Sequence, residues 1–332
     1  MAFWKKKGEG SDHTRIFFAT DVHGSERTFR KFINGAKFYK VNHIIMGGDI
    51  TGKFLVPIVH ERDSHYRVAL QGSTESIDGG DELKAVKERI ETLGFYHVTL
   101  EEDELHAMQE DRGSIDRLFR QLGRERLERW IALAEERLAG TSVKWYVTGG
   151  NDDPEDVLTV LAGMECQHVV NCEEKVVLVD DLYPMANCGY SNRTPWDTPR
   201  EVDEEVLEQH LERAVAGIED FANGIFNFHV PPYDCTLDEC PKLDWSTDPP
   251  TPIVVGGAPQ SASVGSTAAR RVVEKYQPLL MLTGHIHESR GLVKLGRTTV
   301  INPGSEYGEG VLRGCIVTLE PGKVVGYQMT SG

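Results

Sequence analysis

The chain has 332 residues, with 36 Lys and Arg against 52 Asp and Glu, a formal net charge of −16. A surface that acidic repels phosphate backbones and anionic lipid, which excludes extended nucleic acid and membranes as expected partners. Hydrophobic residues at 39% and charged residues at 27% are ordinary globular composition, and no apolar run approaches the ~20 residues that span a bilayer. The segment from Met1 to Gly10 carries three lysines (Lys5 to Lys7) but no apolar stretch, so a soluble, cytoplasmic protein is expected. The six cysteines are scattered, and Cys235 and Cys240 lack the tight spacing of a zinc knuckle. Reduced thiols are expected.

Arg15 to Thr20 is a short apolar run of strand type that stops at Asp21-Val22-His23-Gly24. Phe29, Phe32, Ile33 and Ala36 then recur at helical spacing, predicting a helix that starts near Ser25. A second strand at His43 to Met46 ends at Gly47-Gly48-Asp49, which opens an α/β sheet. Ligands of such sheets bind beyond the carboxyl ends of the strands.

From residue 55 to 140 the pattern changes. A possible hairpin (Leu55 to His60, Tyr66 to Leu70) has Pro57 in its first strand, which predicts an edge position. One helix carries Leu83, Val86, Ile90 and Leu93 and is stopped by Gly94; acidic Glu101 to Glu104 open another. A longer helix runs from a Ser114 cap through Trp130 to Gly140. With 12 basic against 19 acidic residues, this span reads as a mainly helical insertion, a cap or lid, inside a domain covering 12–330.

The sheet pattern resumes at Val143 to Val147, ending at Gly149-Gly150-Asn151-Asp152-Asp153, with a helix from Pro154 to Ala162 for which Asp153 is the expected cap. Further strands are predicted at Cys166 to Val170, Val176 to Val179, Ile225 to Phe228, Leu279 to Leu282, Leu292 to Leu295, Thr298 to Ile301 and Gly314 to Leu319. Thr198-Pro199-Arg200-Glu201 has the capping-box arrangement ahead of a helix carrying Leu207, Leu211, Val215 and Ile218.

Polar residues follow the predicted strands in a set: Asp21 and His23, Asp49, Asn151, His229, then His285 and His287. A mixed nitrogen and oxygen set suits Mn, Fe, Zn or Ni. Seven donors exceed one ordinary ion, whereas two ions about 3.5 to 4 Å apart that share a carboxylate would use them all.

The order DVH at 21–23, GGD at 47–49, GND at 150–152, His229 and GHIH at 284–287, followed by INPGS at 301–305, resembles the calcineurin-like metallophosphoesterase superfamily, in a branch that reads GND. The resemblance implies a four-layer α/β/β/α sandwich. It also implies that Asp21, His23 and His287 hold one metal, that Asn151, His229 and His285 hold the other, and that Asp49 bridges them. The implied cofactors are two divalent transition-metal ions, manganese foremost, and the implied reaction is in-line hydrolysis of a phosphate ester by hydroxide held at the metals.

One position departs from the commonest pattern, in which a histidine follows the asparagine; here it is Asp152. An ionised carboxylate repels phosphate, so Asp152 is expected to be protonated, turned away, or matched to a substrate of low charge, which favours a phosphodiester. Asp152 and Asn151 are the candidate catalytic pair. Tyr190, Asn192 and Arg193 of the GYSNR loop are candidates for contacting a phosphate, with a plain turn as the equal alternative. His60, His65, His97 and His106 of the insertion are expected in solvent unless the insertion folds over the metals. The expected function is a phosphohydrolase, a phosphodiesterase above all, acting on a small or exposed phosphoester. An interaction scaffold with little activity, a phosphomonoesterase or nucleotidase, and a nuclease are the alternatives; the Trp130 stripe is expected to be core packing, with a dimer interface of a homo-oligomer as its second reading.

Overall fold

The computed structural model describes residues 13–247 and 250–332, so the lysine run at residues 5–7 lies outside the described residues. Two six-stranded sheets face each other. In the first, Thr14–Ala19 lies parallel to His43–Met46, which continues in parallel to Lys144–Val147 and Val169–Asn171; Arg313–Glu320 and Lys323–Ser331 close the other side in antiparallel. In the second, Thr298–Asn302, Leu280–Leu282, Ile225–Phe228 and Tyr183–Cys188 run parallel, flanked by antiparallel Gly291–Leu295 and Val176–Val179. The predicted tail of strands after residue 290 therefore divides between both sheets.

Alternation along each strand builds the layers, because successive side chains point to opposite faces. Ile16 and Phe18 turn inward against Met185, Ile225, Leu282 and Ile301. Phe17 and Ala19 turn outward beneath helix α1 (Glu26–Tyr39). The Ser25 side chain accepts from Thr28 N–H and caps α1 as its sequence predicts.

Between the second and third strands of the first sheet lies the 55–140 span. It holds helices α2 (Asp81–Thr92), α3 (Glu102–Glu110) and α4 (Arg112–Leu138). The expected hairpin is there too, extended into a four-stranded sheet in the order Ser73–Asp78, His65–Leu70, Leu55–Arg62, Tyr96–Glu101. Val56, Ile58, Val68, Ile77, Val86 and Ile90 give it a small core of its own. Pro57 consequently sits in an inner strand rather than at an edge. Its strand pairs with His65–Leu70 only from Ile58 onward, so at Pro57 a single neighbour is present and the missing N–H is tolerated.

The cap of α4 is Asp111, which accepts from Gly113 N–H at 3.0 Å, while Ser114 turns back to donate to the Asp111 carbonyl. The second half of α4 leaves the insertion. Leu127, Trp130, Ile131, Ala134 and Leu138 pack into the core under the first sheet, beside α1 and helix α5 (Glu155–Gly163). On the far face, helices α6 (Glu204–Val215) and α7 (Thr267–Tyr276) cover Phe226, Phe228, Met281 and Val300. The result is the four-layer α/β/β/α sandwich.

Two boundary expectations fail for identifiable reasons. The Thr198 to Glu201 signature is a turn, and α6 starts later with Asp203 at its cap. Glu201 accepts from the Thr198 hydroxyl and the Thr194 N–H, both at 2.8 Å, and Arg200 is drawn inside to pair with Glu173. The strand expected from Cys166 begins at Val169, where the Glu135 carboxylate takes the N–H groups of Gln167, His168 and Val169. Among the described residues no helix is long and apolar enough to cross a membrane.

Trp130 stacks on Phe29 with ring centroids 4.0 Å apart and donates to Glu26 at 2.6 Å. Trp130→Ala is expected to cost about 3–5 kcal/mol in urea unfolding; a loss under about 1 kcal/mol would mean that α4 is not part of the main core.

Candidate metal centre

Five inner parallel strands, three of the first sheet and two of the second, lead at their carboxyl ends into polar residues. Thr14–Ala19 leads to Asp21 and His23, His43–Met46 to Asp49, Lys144–Val147 to Asn151, Ile225–Phe228 to His229, and Leu280–Leu282 to His285 and His287. Leaving a strand so abruptly requires unusual backbone. Asp21, His23, Asp49 and His285 have φ of 54°, 40°, 50° and 66°, and non-glycine residues held there mark strain of the kind that clusters at functional sites. Backbone hydrogen bonds hold the loops together: Asp21 N–H to Gly48 at 3.0 Å, His23 N–H to Asp49 at 2.8 Å, Gly284 N–H to His229 at 2.9 Å. The glycines ahead of the ligands permit this approach. A Cβ on Gly150 would lie 2.1 Å from Asp49 Oδ1, and one on Gly284 would lie 2.2 Å from Asp21 Oδ2.

The seven predicted donors converge. His287 Nε2 lies 3.3 Å from Asp21 Oδ1 and 3.1 Å from His23 Nε2. His285 Nδ1 lies 2.7 Å from Asn151 Oδ1. Asp49 stands between, its Oδ2 3.5 Å from His23 Nε2 and 3.4 Å from His229 Nε2.

The set fits a divalent metal centre. His229 Nδ1 faces the Gly47 carbonyl at 3.0 Å, which fixes one ring proton there and turns Nε2 toward Asp49 as the nitrogen a metal would take in exchange for its proton. That Nε2 is buried with no hydrogen-bond partner. Asp21, His23 and His287 form one tight group of possible ligands, and Asp21, Asp49 and His229 another.

Burial opposes ionisation of Asp21 and Asp49, yet both stay well below the usual carboxylate range, Asp21 through His287 and His229 and Asp49 through His229 and His23. Against the same burial, the Asp49 carboxylate raises the His229 pKa to about 10, while burial and the charge on His229 push His285 down to about 4.

No family model matches the chain. An uncharacterized protein of Methanocaldococcus jannaschii is 30% identical over 156 residues, covering 46% of this chain. The chain thus spans 61% of the length of that curated relative. A solved crystal structure aligns with 96% of this chain and 98% of its own at 14% identity, with a TM-score of 0.53. The likeness is one of fold, two facing sheets between helical layers. An archaeal phosphodiesterase also aligns, over 96% of this chain and 100% of its own, at 12% identity and a TM-score of 0.36.

Asp152, the departure noted in the sequence, has a partner that sequence reasoning missed. Lys53 Nζ is 2.8 Å from Asp152 Oδ2, and the same oxygen is 3.5 Å from His23 Nδ1. Burial and the neighbouring Asp49 raise the Asp152 pKa to about 6 against the pull of Lys53. No signal along the chain points from residue 53 to residue 152. Asp153 is not a helix cap, since Pro154 precedes α5 directly. Fully buried, it accepts from Ile50 N–H, Thr51 N–H, the Thr51 hydroxyl and Gly150 N–H, stapling the Asp49 loop to the Asn151 loop.

The GYSNR candidates are engaged elsewhere. Tyr190 donates to Glu155 and stacks on His210, Asn192 donates to the Val264 carbonyl, and Arg193 pairs with Asp203 and Asp197. His60, His65, His97 and His106 each pair with a carboxylate of the insertion, namely Glu101, Asp78, Glu91 and Glu102. A cavity of about 570 Å³ opens along α4 and is lined by none of the seven donors.

Asp153→Asn is expected to destabilise the protein by about 1–3 kcal/mol, because an amide cannot accept all four donors. Denaturant unfolding together with bound-metal analysis would check it, and unchanged stability would contradict the staple. With its pKa at about 10, His229 carries a proton at neutral pH that a metal must displace. Calorimetry in buffers of different ionisation enthalpy should therefore report proton release on Mn²⁺ uptake and an affinity that rises with pH; uptake without proton release would contradict it.

Proposed function

We propose that this protein is a metal-dependent phosphoric ester hydrolase that prefers phosphodiesters and works with two divalent ions, manganese foremost. The observation that supports the reading is the convergence of seven donors, from the carboxyl ends of five strands of the two facing sheets, around Asp49. Asp21, His23, His287 and Asp49 would hold one ion; Asn151, His229, His285 and Asp49 would hold the other. Bound there, divalent ions supply charge that offsets the charge developing on a phosphate and lower the pKa of coordinated water.

The protein's own residues set the geometry. The Gly47 carbonyl orients His229, and the Asn151 side chain donates to the Thr198 hydroxyl at 2.8 Å, which leaves its oxygen toward His285. The Asp152 N–H donates to Asp49 Oδ1 at 3.0 Å, so the second Asp49 oxygen faces the histidines. Beside these groups the Lys53 and Asp152 charges cancel. That leaves less positive charge for a monoester dianion and suits a diester, which carries one negative charge where a monoester carries about two. The acidity of the chain supports a small or exposed substrate over an extended nucleic acid.

With Mn²⁺ added, bis(p-nitrophenyl) phosphate should be hydrolysed faster than p-nitrophenyl phosphate. Asp49→Ala should lower turnover by about 10²-fold or more. Equal activity in wild type and Asp49→Ala, or activity that survives chelation, would overturn the reading.

A further inference from the structure

Lys53 lies where the metal-edge loops pass into the insertion. The residues before it are tightly held: Thr51 N–H donates to Asp153 at 2.7 Å and Gly52 N–H to the Tyr96 hydroxyl at 2.8 Å. The strand Leu55–Arg62 begins two residues later. The backbone of Lys53 is thereby fixed from both sides, by the metal loops through Asp153 and by the insertion through Tyr96. Its side chain keeps 33% of its surface in solvent, and its ammonium meets Asp152 at 2.8 Å.

An ammonium has three N–H donors, and Asp152 is the partner the structure gives Lys53. Among the described residues, no other lysine and no arginine forms an ion pair with Asp152 or with any of the seven donors. Asp21, Asp49 and Asp152 make this end of the sheets acidic, and among the described residues Lys53 is the lysine or arginine paired there. A cation preset by its surroundings binds with less loss of side-chain freedom than a free surface lysine.

We propose that Lys53 is a substrate-binding residue: its ammonium takes a phosphate oxygen, while Asp152 holds the ammonium in position and tempers its charge. The proposal rests on the phosphoesterase reading for its substrate class. It also makes the insertion a contributor to the site, since Tyr96 helps to hold the segment that carries Lys53.

The test uses the full chain loaded with Mn²⁺, with inorganic phosphate as the probe in calorimetry. Lys53→Met should weaken phosphate binding by about tenfold or more, since hydrogen bonds to charged groups are the strong ones. It should also raise KM for bis(p-nitrophenyl) phosphate by a similar factor with a smaller change in kcat, and leave Mn²⁺ affinity unaltered. Lys53→Arg should restore most of the binding. Asp152→Asn should tighten phosphate binding, and the gain should vanish in the Lys53→Met, Asp152→Asn double variant. Unchanged phosphate affinity in Lys53→Met, loss of Mn²⁺ along with phosphate, or a gain from Asp152→Asn that persists without Lys53 would overturn the proposal. Phosphate binding is read without turnover, so a wild-type protein that hydrolyses neither ester would sink the phosphoesterase reading and leave the Lys53 result standing.

Discussion

Four carboxylates, Asp21, Asp49, Asp152 and Asp153, meet at one sheet edge, three of them fully buried. Two like charges 4 Å apart repel by about 4 kcal/mol even at an effective dielectric constant near 20. The surroundings of the edge offset that repulsion group by group. Asp153 is met by backbone N–H groups and a hydroxyl, Asp152 by Lys53, and Asp21 and Asp49 by histidines, two of which also approach each other at 3.1 Å. Strained φ values at four of the seven donors, and glycines at which a Cβ would lie about 2 Å from a carboxylate oxygen, are the backbone's side of the same arrangement. The two sheets supply the rigidity that holds it, with strand ends fixed by an inter-sheet core of Ile16, Phe18, Ile225 and Leu282.

The clustering of the seven donors was legible in the sequence because each stands just after a strand whose apolar residues are unmistakable. Glycine marks most of these stops, as in Gly48-Asp49, Gly150-Asn151 and Gly284-His285, so order along the chain carried the spatial set. Lys53 was not legible, since its meaning comes from Asp152, 99 positions later, reached only when two loops are stapled by Asp153. Asp153 was misread for a related reason: an aspartate before proline looks like a helix cap until its four donors are seen. Thr198 to Glu201 has the letters of a capping box but a different set of partners, because Glu201 is claimed by Thr194. The polar Ser73–Asp78 gives no strand pattern, as it lies at the outer edge of the small sheet, and α7 is a ten-residue helix whose Ser266 cap passes unnoticed among turn residues.

The 55–140 span is tied to the centre rather than merely appended to the fold. Gly94 presses against the backbone of His23 so closely that a Cβ there would lie 2.0 Å from the His23 carbonyl oxygen. Arg126 of α4 donates to the carbonyls of Gly24 and Phe95 at 2.7 and 3.0 Å, clasping the turn after His23 to the insertion. Further along the same helix, Trp130 enters the main core. One helix therefore joins the insertion, the His23 loop and the first sheet, which links the placement of Lys53 and His23 to the packing of the whole first layer.

Anomalous diffraction from crystals grown with Mn²⁺ tests the centre most directly. Two peaks are predicted at the sheet edge, one among Asp21, His23 and His287 and one among Asn151, His229 and His285, with Asp49 touching both. A data set with no peak at this edge, or with manganese bound only elsewhere on the molecule, would contradict the assignment of these seven residues as a dinuclear centre.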